Sequence, residues 1–125
     1  MFVRKSIFLV ALILAGLICA YAVDITGKWT AEFDSEVGLQ KYIFEFKADG
    51  AGLTGTAISN IAGAEAKTPI TEGKIDGNKI SFVENLNYQG MELRIAYEGT
   101  VSGDEIQLAR IEGAGNEKFV AKRAK

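Results

Sequence analysis

Beyond residue 22 the apolar residues recur at every second position, in short β-branched and aromatic runs broken by Gly, Asp and Asn, and no run sustains an apolar 3.6-residue period. A chain patterned in this way buries one face only by forming a sheet. Eight strands are expected, at about 26–34, 40–48, 52–60, 66–75, 79–85, 91–101, 104–111 and 117–123. Connections two, four and six are short and Gly-rich, at Ala48-Asp49-Gly50-Ala51, Asp76-Gly77-Asn78 and Ser102-Gly103. Connections one, three, five and seven read as longer, at 35–39, 61–65, 86–90 and 112–116. A meander places alternate connections at opposite ends, so one tightly turned end and one loop-rimmed end are expected. The sheet can close into a barrel or fold into a sandwich, and closure also removes the exposed edges. The expected fold is therefore all-β, a single eight-stranded antiparallel up-and-down barrel over residues 23–125. A barrel of eight strands either fills itself with side chains or holds one small ligand.

Alternation sorts the residues into two faces. The inward set is Trp29, Ala31, Phe33, Tyr42, Phe44, Phe46, Leu53, Gly55, Ala57, Ile80, Phe82, Leu93, Ile95, Tyr97, Ile106, Leu108, Phe119 and Ala121. The outward set includes Lys28, Glu32, Glu45, Lys47, Ser81, Arg94, Glu98, Gln107 and Lys122. In the fourth strand Ile70 and Ile75 have opposite parity, which a bulge near Glu72-Gly73 would reconcile. Small Gly55, Ala57 and Gly99 at inward or near-inward positions leave room for an interior cavity, unless the aromatics opposite fill it.

The first 22 residues have the three parts of an export signal: Arg4 and Lys5, an apolar run from Ile7 to Cys19, and a small-x-small site at Ala20-Tyr21-Ala22. Cleavage after Ala22 would leave 125 − 22 = 103 residues in a secreted or periplasmic protein, with no stable membrane insertion. It would remove the only cysteine, and the chain has no histidine. The mature net charge becomes −4, from 12 Lys and Arg against 16 Asp and Glu, interspersed and without a basic stripe. Nucleic acid is therefore not an expected partner.

The same absences bound the chemistry. Ser-His-Asp, Cys-His and imidazole-ligated zinc sites are excluded, and neither metal nor cofactor is expected. Asp76-Gly77-Asn78 and Ser102-Gly103-Asp104-Glu105 lack the ligand count of a calcium loop. The Gly-Ala stretches at 61–65 and 113–115 precede no helix that could bind phosphate.

Parity carried to the strand ends places three charges inward, namely Glu84, Arg110 and Arg123. Glu84 and Arg110 share the loop-rimmed end, one strand apart. Either both simply reach water at the rim, or they form a polar recognition pair at a pocket mouth with inward Tyr42 and Tyr97 and with Tyr88, Asn87 and Gln89 from the adjacent loop. Arg123 belongs at the other end, beside Gly27-Lys28-Trp29 once the first and last strands become neighbours.

Here the chain resembles the lipocalin-like (calycin) group, in which Gly-x-Trp on the first strand and Arg on the last pack together at the closed end. The resemblance implies a structural role for Trp29 and Arg123, an Arg over an indole face being worth roughly 0.5–2 kcal/mol. This chain is much shorter than lipocalins, has no disulfide or expected C-terminal helix, and its first loop is too short for a lid. It also resembles, over nearly all of residues 23–125, a family of small exported proteins of environmental bacteria. The patterns that carry this are Asp24-Ile25-Thr26-Gly27-Lys28-Trp29-Thr30-Ala31-Glu32-Phe33-Asp34, Phe82-Val83-Glu84 and Phe119-Val120-Ala121-Lys122-Arg123. Members often carry glycoside hydrolase or xylanase labels.

Three functions stay open. In the first, a small apolar or amphipathic ligand binds inside the barrel, oriented by Tyr42, Glu84, Tyr88, Tyr97 and Arg110. In the second, implied by the labels, a glycan substrate is hydrolysed with Glu84 as the catalytic acid, its pKa raised by an apolar surround. The second carboxylate would come from Glu92, Glu36, Asp34 or Glu112, none at a signature spacing. In the third, the interior is filled and the protein acts structurally or through its surface.

Overall fold

Each of the eight expected runs forms a strand: β1 (Gly27–Ser35), β2 (Gly38–Asp49), β3 (Gly52–Ile61), β4 (Ala64–Asp76), β5 (Lys79–Tyr88), β6 (Met91–Ser102), β7 (Glu105–Glu112) and β8 (Lys118–Arg123). The structure, a computed structural model, describes residues 24–113 and 115–124; the expected export signal and its cleavage site lie outside them. Every strand is antiparallel to its sequence neighbours, and β8 returns to β1 to close the barrel.

The inward parity holds across the register. Trp29 faces Phe44 and Phe44 faces Ala57 on one side of the barrel, while Phe82 faces Tyr97 and Tyr97 faces Arg110 on the other. Phe33, Gly55 and Leu93 are half-buried, and the rest of the inward set is buried. Stacked and edge-on aromatic pairs join the two walls: Tyr42–Phe44 at 5.1 Å, Phe44–Phe82 at 5.6 Å and Phe82–Tyr97 at 4.7 Å between centroids. In the fourth strand the register shifts between Thr71 and Lys74, with Glu72 at φ 54°, so the bulge lies where parity required it.

One expectation is corrected, and one open alternative is decided. The mouth end is not rimmed by four long loops, because connections one, three and five are two-residue turns, at Glu36-Val37, Ala62-Gly63 and Gln89-Gly90. Ala62-Gly63 and Gln89-Gly90 have positive φ at both positions, the geometry that matches strand twist in a two-residue hairpin. Only the connection from β7 to β8 is long, and Tyr88 consequently stands in β5 rather than in a loop. The small inward residues also leave no hollow at Gly99. A Cβ there would meet Leu108 Cδ2 at 2.8 Å, Ile106 Cγ2 at 3.0 Å and Ile80 Cγ1 at 3.1 Å, so larger neighbours already fill the space.

Closure is uneven. β1 pairs with β2 at nine positions but with β8 at two, Trp29 with Arg123 and Thr30 with Lys122. Farther along the same seam, contact passes from backbone to side chains, with Phe33 and Phe119 stacked at 4.2 Å.

Candidate functional site

A polar group inside so aromatic a barrel needs partners, and Glu84 has them. Its place on β5, in line with Ile80 and Phe82, turns it inward, where it is 0 % exposed. Tyr97 Oη on neighbouring β6 donates to Glu84 Oε1 at 2.6 Å. Tyr42 Oη, from β2 across the barrel, lies 3.0 and 2.9 Å from Oε1 and Oε2. Both tyrosine oxygens accept from Arg110 on β7: Nε donates to Tyr97 at 3.0 Å and Nη2 to Tyr42 at 2.8 Å. The donor direction thus runs from guanidinium to hydroxyl to carboxylate, each bond polarising the next.

The electrostatics follow from burial. Desolvation raises the Glu84 carboxyl above its ordinary value, against opposing hydrogen bonds from Tyr97 and Tyr42 and the charge of Arg110. Burial and then the charge of Glu84 raise both tyrosines, so their hydroxyls stay protonated donors at neutral pH. Arg110 lies 4.9 Å from the Phe33 ring centre, 5.3 Å from Tyr42 and 5.4 Å from Tyr97, a cage of ring faces that stabilises its charge. Its remaining partner is Glu117, with Nη1 3.2 Å from Oε1.

Above this network the mouth opens into a cup of about 470 Å³, within the usual range of small-molecule sites. Ile61, Leu86, Leu93 and Ile95 line its wall, Tyr88 and Gln40 join them, and Arg110, Glu117 and, at the lip, Glu36 supply charge. Gln40 is 4 % exposed, and its amide orientation follows from its neighbours. Ser35 Oγ donates to the Gly38 carbonyl at 2.9 Å, so that oxygen accepts from Gln40 Nε2 at 2.8 Å. Gln40 Oε1 is left without a partner, as is the buried Ser59 Oγ. A larger groove of about 700 Å³ crosses the outer face of β4 to β8, but Lys74, Lys118, Asp76 and Glu98 give it mixed charge, and no unsatisfied buried group lines it.

At the closed end Arg123 lies 4.3 Å over the Trp29 ring. It donates to Asp104 Oδ1 at 3.0 Å and to the carbonyls of Thr26 at 3.2 Å and Asp24 at 2.8 Å, while Trp29 Nε1 donates to the Ile25 carbonyl at 2.9 Å. These bonds tie the segment before β1 across the barrel bottom.

Of the residues singled out by sequence, Tyr42, Glu84, Tyr97 and Arg110 converge in one network, Tyr88 stands apart on the cup wall, and Trp29 and Arg123 meet at the opposite end. The rim carboxylates do not join Glu84: Glu112 lies 3.7 Å from Arg94 on the outside, Asp34 and Glu92 are exposed, and Glu36 stands at the lip of the cup. Glu84 is fully buried, with both oxygens within hydrogen-bonding distance of tyrosine hydroxyls. Sequence reasoning missed Gln40 and Glu117, although each continues the inward parity, two residues before Tyr42 in β2 and two before Phe119 in β8. No protein-family model, curated protein or solved structure matches the chain, and the functional reading rests on the chemistry of this site.

Proposed function

We propose that the protein is an exported binding barrel that holds one small amphipathic molecule in the cup at its mouth. The observation that carries this is the cup itself: an apolar wall over a buried arginine, in a barrel whose lower interior is filled by aromatic packing. The ligand belongs at the mouth rather than deep in the interior, because Glu84, Tyr42, Tyr97 and Arg110 form a closed layer beneath it. Exposed apolar side chains gather at the same end. Val37, Leu39, Met91 and Ile111 flank the mouth, against Ile43 and Val120 elsewhere among the large exposed apolar residues.

Titration calorimetry of the purified protein against eight-carbon amphiphiles with different head groups tests this reading. Binding is expected in the micromolar range or tighter, and Leu93→Trp, which fills the cup, should abolish it while far-ultraviolet dichroism stays unchanged. Binding that survives Leu93→Trp would place the ligand elsewhere. Release of reducing ends from xylan, lost in Glu84→Gln, would replace binding by glycoside hydrolysis.

A further inference from the structure

We infer that the cup is built for a small hydroxy acid, whose acid group displaces Glu117 from Arg110 and whose hydroxyl donates to Gln40. This rests on the mouth being the binding site, and it adds the chemistry of what binds there. Arg110 has five N–H donors, of which the protein occupies three, through Tyr97, Tyr42 and Glu117. Its side chain is only 1 % exposed, and it borders the cup. An anion entering the cup meets donors already oriented and caged by rings.

Glu117 shows which chemistry that position accepts. Its carboxylate is 23 % exposed and meets Arg110 through one bond of 3.2 Å, longer than the 2.7–2.9 Å typical of charge-assisted pairs. It stands at the end of the β7–β8 connection, the longest in the barrel. A single long contact from a side chain that can turn to water is displaceable; the two-tyrosine clamp beneath is not. Glu117 therefore occupies the arginine as an internal acid that an external acid can replace.

Gln40 supplies the second requirement. Gln40 lines the cup, and its buried Oε1 has no partner and accepts only, so it calls for a donor on a ligand that seats against this side chain. A cationic donor is disfavoured beside Arg110, which leaves a neutral donor, of which a hydroxyl is the smallest. Gln40 precedes Tyr42 by two residues on one strand face, about 7 Å along β2, and Tyr42 itself touches Arg110. The hydroxyl and acid groups thus belong within a few bonds of each other, with the chain beyond them against Ile61, Leu86, Leu93 and Ile95.

The test compares 3-hydroxyoctanoate, octanoate, methyl 3-hydroxyoctanoate and octylammonium on the purified protein, on Glu117→Gln and on Gln40→Leu. The hydroxy acid should bind at least roughly tenfold more tightly than its ester or the amine, a difference of about one charge-assisted hydrogen bond. Glu117→Gln should tighten binding of both acids by removing their competitor, and Gln40→Leu should erase the preference for hydroxyoctanoate over octanoate. Dichroism spectra matching the parent establish that both variants fold. Equal binding of acid and ester, or an acid affinity unmoved by Glu117→Gln, overturns this inference while a Leu93→Trp-sensitive cup still stands. A panel in which nothing binds overturns both.

Discussion

Glu84 and Arg110 do not touch; the hydroxyls of Tyr42 and Tyr97 stand between them, accepting from the guanidinium and donating to the carboxylate. A buried ion pair in direct contact must recover two desolvation penalties through one interaction. Here the charges are spread over two bridges, and both walls of the barrel contribute one. The network therefore couples β2, β5, β6 and β7 through their side chains as well as through the sheet.

Stability should depend on pH through Glu84. Its folded pKa is raised by burial, so its contribution is fully present below its ordinary value of 4.5 and is lost as pH rises through the folded value. Glu84→Gln removes that loss. Urea unfolding should show the variant gaining on the parent between pH 4 and pH 8; a constant difference across that range would rule out the linkage.

Removing the cation should cost more than removing the carboxylate. Arg110→Met leaves Glu84 buried without the guanidinium to which Tyr42 and Tyr97 bridge it, a loss of about 3–5 kcal/mol at neutral pH. Adding Glu84→Gln to Arg110→Met should recover part of it, because the uncompensated charge is gone. Additive losses in the double variant would show that the two residues act independently.

Trp29 is the only tryptophan, and it is fully buried beneath Arg123. Arg123→Gln removes the cation over the ring and its bonds to Asp24, Thr26 and Asp104, and should lower stability by about 1–2 kcal/mol. Fluorescence emission should shift to longer wavelength as water reaches the indole. An unchanged spectrum with unchanged stability would mean that the closed end does not depend on this contact.

The seam between β1 and β8 should be the first part of the barrel to open. With ladder pairing limited to Trp29–Arg123 and Thr30–Lys122 and one further backbone bond from Ala124 N–H to the Lys28 carbonyl, the amides of residues 118–121 that aim at β1 should exchange with solvent well before those of β2 paired to β3. Equal protection at both seams would contradict this, and Phe119→Ala should widen the difference by removing the stack with Phe33.

Much of this architecture was legible because strand parity is local. Whether Phe82, Glu84, Tyr97 or Arg110 faces inward depends on counting by two from its neighbours, so the charged layer could be placed without knowing what lies opposite. The turns were less legible. Ala62 and Gln89 take positive φ without being Gly, Asn or Asp, so nothing marked those connections as tight hairpins. Glu117 and Gln40 had the right parity, but their importance comes from Arg110 on β7 and Ser35 on β1, partners that the geometry of the β7–β8 connection and the β1–β2 hairpin brings to them.

By itself the sequence determined the strand count, the inward face and the bulge at Glu72-Gly73, because alternation and its interruption are properties of neighbouring residues. Tertiary structure decided that Tyr42 reaches Glu84 and Arg110 from the far wall, that Gly99 is filled rather than hollow, and that the open space lies at the mouth. Those outcomes depend on barrel curvature and register between strands distant along the chain, 68 residues apart for Tyr42 and Arg110, and only closure brings such groups within hydrogen-bonding reach.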